Sequence, residues 1–262
     1  MLVEFSIYLL TGAFAGFFAG LLGVGGGLIL VPILASVFAY YLATPYLVHL
    51  AIGTSLATIL ITSLSSVKAH HLHKAVRWDI VKNMALGVFI GGLLGSWIAE
   101  FMSASILSKT FAVLELLIAI RFLVDFQPLP SRCLPKGISA FGVSGLIGTL
   151  STLVGVGGGA INTPYMVCHN VCIKQAIATS SALSLPVAVA GTIGFMWAGW
   201  GLDNLPNYST GYIYWPAFIG IVLTSYFTAS IGAKYTHKLP TQRIKKIFAT
   251  LLVLFAIKMF LF

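Results

Sequence analysis

Charge is scarce in this chain. Only 8% of its 262 residues are Asp, Glu, Lys or Arg, and only six of those are acidic. A soluble domain carries about 25% charged residues, and no stretch outside the short loops is polar enough to make one. Cysteine is also scarce: Cys133, Cys168 and Cys172 form no CxxC pair and no disulfide framework. Cys168 and Cys172, four apart, are expected on one helix face as buried, inert thiols. Six histidines cannot supply the histidine sets of membrane di-iron oxygenases. No glycine run continues into Gly-Lys-Ser/Thr, which excludes a Walker A loop and direct ATP coupling. The start, MLVEFSIYLL, carries Glu4 and no basic n-region, so a cleaved signal peptide is not expected.

What fills the chain instead is apolar sequence: 58% hydrophobic residues and a mean hydropathy of +0.99. Apolar segments fall at 5–42, 46–67, 83–101, 105–124, 137–169, 175–198, 212–234 and 245–262. Runs of about 18 or more apolar residues cross a hydrocarbon core about 30 Å thick. The fold class is therefore an all-α polytopic membrane protein with the lipid bilayer as its surroundings. The net charge of +9 does not indicate a nucleic-acid partner, because most Lys and Arg sit in short loops between spans.

The segments repeat. Gly25-Gly26-Gly27 through Pro32 match Gly157-Gly158-Gly159 through Pro164, and Ala51 to Ser55 match Ala176 to Ser180. Trp78, Gly95, Phe111 and Arg121 match Trp215, Gly232, Phe248 and Lys258. This is a tandem duplication, with a first repeat at 1–126, a cytoplasmic linker at 127–136 and a second repeat at 137–262. The first segment of each half is too long for one crossing: 5–42 would make a helix of about 57 Å. A glycine cluster at its middle predicts a broken hairpin followed by three spans, about 8–10 membrane segments in all. Each half then crosses an odd number of times, and the second half is inverted. That arrangement puts thirteen of the fifteen Lys and Arg inside and leaves Lys109 and Lys258 outside, as the positive-inside rule demands. Inverted repeats with broken helices mark secondary transporters that bind substrate near the midplane.

The glycine runs, LLGVGGG at 21–27 and LVGVGGG at 153–159, admit two readings. Small residues let membrane helices approach closely, which is expected of Gly12, Gly16 and Gly20 and of Gly87, Gly91 and Gly95. The sharper reading is a helix break whose backbone N–H groups, with the following helix N-terminus, face an anion. Gly23, Gly25, Gly26 and Gly27, with Gly155, Gly157, Gly158 and Gly159, are the candidates. The match of GVGGGA at 155–160 to a dinucleotide fingerprint fails, because no strand precedes it and Leu28 breaks its twin.

LLGVGGGLILVP and LVGVGGGAINTP, each followed by A-[IV]-x-T-S, resemble the sulfite exporter TauE/SafE family of membrane transporters. The resemblance covers almost the whole chain, including Trp78 with Asp79 and the terminal Phe111–Arg121 and Phe248–Lys258 segments. It implies transport of sulfite, sulfoacetate or a related small anion across the cytoplasmic membrane, usually outward. The chain departs from the family pattern after the second span of each half. There the first half has His70-His71-Leu72-His73-Lys74 and the second has the loop WAGWGLDNLPNYST.

Other polar residues join the candidate site. Thr54 and Ser55, with Thr179 and Ser180, either donate to an anion's oxygens or bond their own helix carbonyls. Asn162 stands where the first half has Leu30 and is a plausible extra donor. Glu115 is the one carboxylate well inside a predicted span, which makes it a coupling-proton candidate. The His70–His73 cluster is expected as an interfacial basic loop rather than a metal site, and no metal, cofactor or catalytic residue is expected. The reading is a secondary transporter exporting a small anion (sulfite, sulfoacetate, thiosulfate or a relative) by alternating access. A membrane-embedded metal-dependent enzyme and an anion channel are the alternatives.

Overall fold

The computed structural model describes residues 2–124, 134–135, 137–236 and 241–262. Most of the 127–136 linker, and Cys133 within it, lies outside the described residues. Among the described residues ten helices follow in order: α1 (Leu2–Leu22), α2 (Gly27–Tyr41), α3 (Leu47–Leu72), α4 (Trp78–Glu100), α5 (Ala104–Val124), α6 (Ile138–Leu153), α7 (Gly159–Cys168), α8 (Ile173–Ala198), α9 (Trp215–Thr236) and α10 (Thr241–Phe260). A two-stranded ribbon, β1 (Ser209–Thr210) with β2 (Ile213–Tyr214), precedes α9. Among the described residues, α3, α4, α8, α9 and nearly all of α1 are long and apolar enough to span a membrane. Their outward faces carry exposed Leu10, Phe14, Leu86, Trp97, Leu223 and Phe227. So much exposed apolar surface suits lipid, not water. This is an all-α polytopic membrane protein.

Both long first segments break at their glycine runs. α1 ends at Leu22 and α2 starts at Gly27; α6 ends at Leu153 and α7 starts at Gly159. Tyr8 of α1 packs at Gly220, and Phe38 near the end of α2 meets Tyr214, with ring centroids 5.5 Å apart. Both ends of the α1–α2 segment therefore lie beside the start of α9, so the segment turns back on itself. The second segment does likewise: Ala140 of α6 and His169 after α7 line one cavity with the start of α4.

Packing runs crosswise between the halves. α1 lies parallel to α9, with Gly12 against Ile221, Gly16 against Ser225 and Gly20 against Ala229. α6 lies parallel to α4, with Gly87 against Ser144, Gly91 against Gly145 and Gly95 against Thr149. A Cβ at these glycines would meet backbone or hydroxyl atoms, so close helix approach explains them. α3 and α8 cross antiparallel, Leu56 meeting Gly191 and Ser66 donating to Ser181 at 3.3 Å. α5 and α10 also pair antiparallel: Ser108 donates to the Met259 carbonyl and Phe122 packs near Phe248. Exchanging α1–α5 with α6–α10 turns the α1–α9 pair into the α6–α4 pair and returns the α3–α8 and α5–α10 pairs to themselves.

Two expectations are corrected. The His70–His73 stretch is not simply an interfacial loop. α3 runs on to Leu72, past the end of its apolar run, and His70 is fully buried with its ring 3.3 Å from the Gly20 carbonyl. Cys168 and Cys172 share no helix face, because α7 stops at Cys168 and α8 starts at Ile173; Cys172 is exposed.

Candidate functional site

The two breaks pack directly on each other. Gly26 and Gly158, the residues preceding α2 and α7, hold left-handed conformations with φ 88° and 84°. A residue with a Cβ pays about 1–2 kcal/mol there. The next glycine in each run has a different reason. A Cβ on Gly27 would fall on the Gly155 carbonyl oxygen, and one on Gly159 on the Gly23 carbonyl oxygen. Gly25 lies against the backbone of Gly157. The crossing thus brings all eight candidate glycines together, with the first turns of α2 and α7 beginning at the contact. Helix first turns leave N–H groups without intrahelical partners.

The hydroxyls divide by role. Thr54 accepts the Tyr214 N–H at 3.0 Å, and Thr179 accepts the Arg77 N–H at 3.0 Å. Tyr214 and Arg77 each directly precede a helix, α9 and α4, so the matched threonines tether matched helix starts. Ser55 donates to the Gly155 carbonyl at 3.0 Å and so holds the second break. Ser180 accepts from Thr163 of α7 at 2.8 Å.

Asn162 is different. It is fully buried on the first turn of α7, and among the described residues neither its amide nitrogen nor its oxygen has a hydrogen-bond partner. The buried hydroxyls of Ser151 and Thr152 at the end of α6 are unpaired as well. Asn162 Nδ2 and Ser151 Oγ converge on Gly158, lying 2.9 and 3.4 Å from where its Cβ would stand. Leaving such groups unpaired costs about 1–3 kcal/mol each. Ser151 and Thr152 are absent from the sequence-derived candidates. The signal was present, since the aligned residues before the first run are Ala19 and Gly20.

An open cavity of about 370 Å³ lies between the start of α4 and the end of α7, lined by Arg77, Asn83, Tyr165 and His169 among others. Tyr165 follows Asn162 at i+3, which places the two on one face of α7, and His169 directly follows the helix. Arg77 is clamped by Asp79 in a two-pronged ion pair, and that hydrogen bonding raises its pKa. A narrow polar crevice borders Gly25 and is lined by Thr62, Ser63, Ser66 and Ser181. On the opposite side of the crossing the ribbon seals the bundle. Tyr212 packs over Gly53, and burial pushes its phenol up to about 12. Glu115 lies on α5, fully buried, with neither carboxylate oxygen partnered among the described residues. No cluster of metal-binding side chains occurs among the described residues.

An apolar bundle of broken, cross-packed helices with an unpaired polar group at the break defines a membrane transporter. The comparisons place it more narrowly. The profile of the sulfite exporter TauE/SafE family matches residues 8–259, and the chain belongs to that family. A probable membrane transporter protein of Haemophilus influenzae is 39% identical over 97% of both chains. A probable membrane transporter protein of Methanocaldococcus jannaschii is 24% identical over 94% of this chain and 91% of its own. The probable membrane transporter protein YunE of Bacillus subtilis is 25% identical over 96% of each. No solved structure matches.

Proposed function

We propose that this transporter exports a small oxyanion (sulfite, thiosulfate, sulfoacetate or a relative) across the cytoplasmic membrane by alternating access, and that its site is the second glycine break. One observation carries the reading: Asn162 and Ser151 are buried beside the N-terminus of α7 with no hydrogen-bond partner among the described residues. Hydrogen-bond donors at a helix N-terminus suit an anion, and oxyanion oxygens would accept from the Asn162 amide nitrogen and the Ser151 hydroxyl.

The two halves act as inverted repeats, from which 1–126 and 137–262 follow as the moving units. The crosswise pairing of α1 with α9 and α6 with α4 supports this. So does charge: of the Lys and Arg with described side chains, only Lys109 and Lys258 lie at the end that holds the start of α1. The other end is then cytoplasmic. The cavity at the end of α7 opens there, while the Tyr212 ribbon closes the outside. An inside-negative potential drives anion efflux by about 2.3 kcal/mol per charge per 100 mV, so export requires no coupling ion. Glu115 remains the residue to carry a proton where one is coupled.

The test is flux from proteoliposomes loaded with sulfite, thiosulfate, sulfoacetate or sulfate. Saturable efflux of at least one, driven by an imposed potential, is expected. Folded protein that moves none of them refutes the proposal, and linear, non-saturating conductance marks a channel.

A further inference from the structure

A second cavity, of about 340 Å³, opens between the last turns of α3 and α9 at the cytoplasmic end. Lys68 comes from α3 and His73 directly follows it, and Ser230 and Lys234 come from α9. Its outer wall is Leu72 and Phe227, 74% and 66% exposed on the lipid-facing surface. Among the described residues the one ion pair joins Arg77 and Asp79, so neither lysine is paired with a carboxylate among them. Lysines near helix ends commonly snorkel to the interface, but here two of them from different helices converge on one cleft with an apolar wall. The duplicated sequence supplies an internal comparison. At the offsets of the two halves, Lys68 corresponds to Ile193 and Lys234 to Trp97, both exposed and both at the outer end. The fold does not demand cations at these places, and they are present only at one end.

We propose that this cleft binds the phosphodiester headgroup of an anionic phospholipid of the inner leaflet. Lys68 and Lys234 face the phosphate, Ser230 donates to it, and the acyl chains lie along Leu72 and Phe227. Juxtamembrane lysines attract anionic lipid in this way, and the cleft is separate from the Asn162 site. Occupancy would brace α3 against α9, a pair drawn from opposite halves.

Delipidated full-length protein in a neutral detergent, titrated with phosphatidylglycerol and followed by native mass spectrometry and thermal unfolding, tests this. Wild type is expected to retain phosphatidylglycerol and to unfold at higher temperature with it. The Lys68→Gln/Lys234→Gln variant should bind it on the order of tenfold more weakly, while Lys82→Gln/Lys246→Gln, at the same end but outside the cleft, should match wild type. Equal retention by wild type and the cleft variant overturns the proposal, as does equal retention of phosphatidylcholine. An equal, Lys68- and Lys234-dependent shift with inorganic phosphate alone overturns the lipid assignment.

Discussion

Replacing Asn162 with Ala separates a binding role from a structural one, because the two roles move stability in opposite directions. The side chain is fully buried and both of its polar atoms lack partners. Each unpaired group costs about 1–3 kcal/mol, which offsets or exceeds the packing lost when its three terminal heavy atoms are removed. The ligand-free variant should therefore unfold at the same temperature as wild type or higher. Transport should show the reverse. A hydrogen bond to a charged group contributes about 1.5–3 kcal/mol, so the half-saturating anion concentration should rise roughly 10- to 150-fold. Asn162→Asp, which sets a carboxylate against the anion, should abolish uptake of ligand altogether. The assay is potential-driven efflux from proteoliposomes over a range of anion concentrations, paired with thermal unfolding in detergent. A lower unfolding temperature with unchanged half-saturation would show that Asn162 serves packing, and would refute the site.

Four further outcomes follow from the same geometry. Gly27→Ala and Gly159→Ala each drive a Cβ into the opposite break's carbonyl, so each should fail to give a monodisperse protein, whereas Gly142→Ala, with open space around it, should purify as wild type does. Glu115→Gln keeps the shape of a buried carboxyl and should fold; if the acid carries a proton, efflux loses its response to an imposed pH gradient, and an unaltered response removes Glu115 from the mechanism. Because burial raises Tyr212 to about 12, its contribution to stability is complete below the ordinary phenol value near 10. It is lost as pH rises from there through about 12, and Tyr212→Phe should remove that part of the alkaline fall in unfolding temperature. Finally, with the native cysteines replaced by serine, His73→Cys in the α3–α4 loop should react with impermeant thiol reagent only from the cytoplasmic side and Asn207→Cys in the matched α8–α9 loop only from outside; labelling of both from one side excludes inversion.

Much of the architecture was legible because apolar run length, glycine placement and Lys/Arg bias are properties of the chain itself. The breaks at 23–26 and 154–158, and the close approaches of Gly12, Gly16 and Gly20, follow from them directly. What sequence reasoning did not deliver was partnership across the bundle. Thr54 and Thr179 recur at matched positions beside the glycines, which makes them look like ligand groups. Only the fold shows them engaged by the N–H groups of Tyr214 and Arg77. His70 was unreadable for a related reason: a polar helix end gives no local sign that a neighbouring helix will cover it. Ser151 is hard to read for a further reason: a hydroxyl in a membrane helix usually bonds its own i−4 carbonyl, and nothing local announces that this one has no partner among the described residues.

The duplication offers a way to sort such residues. A feature present in both halves is most simply required by the fold they share. The αL glycines at 26 and 158, the carbonyl-facing glycines at 27 and 159, and the tethering threonines at 54 and 179 are of this kind. A polar residue present in only one half cannot be demanded by that shared scaffold, since its counterpart folds without it. Asn162 against Leu30, Ser151 against Ala19, Lys68 against Ile193 and Lys234 against Trp97 are departures of this second kind. The first two leave polar atoms at the break without partners among the described residues, and the last two set charge at one membrane surface with no ion pair among those residues. A substrate held by one break only is consistent with this asymmetry. Under the proposed function, two breaks bend the helices around a common centre, and polar groups on just one of them hold the anion there.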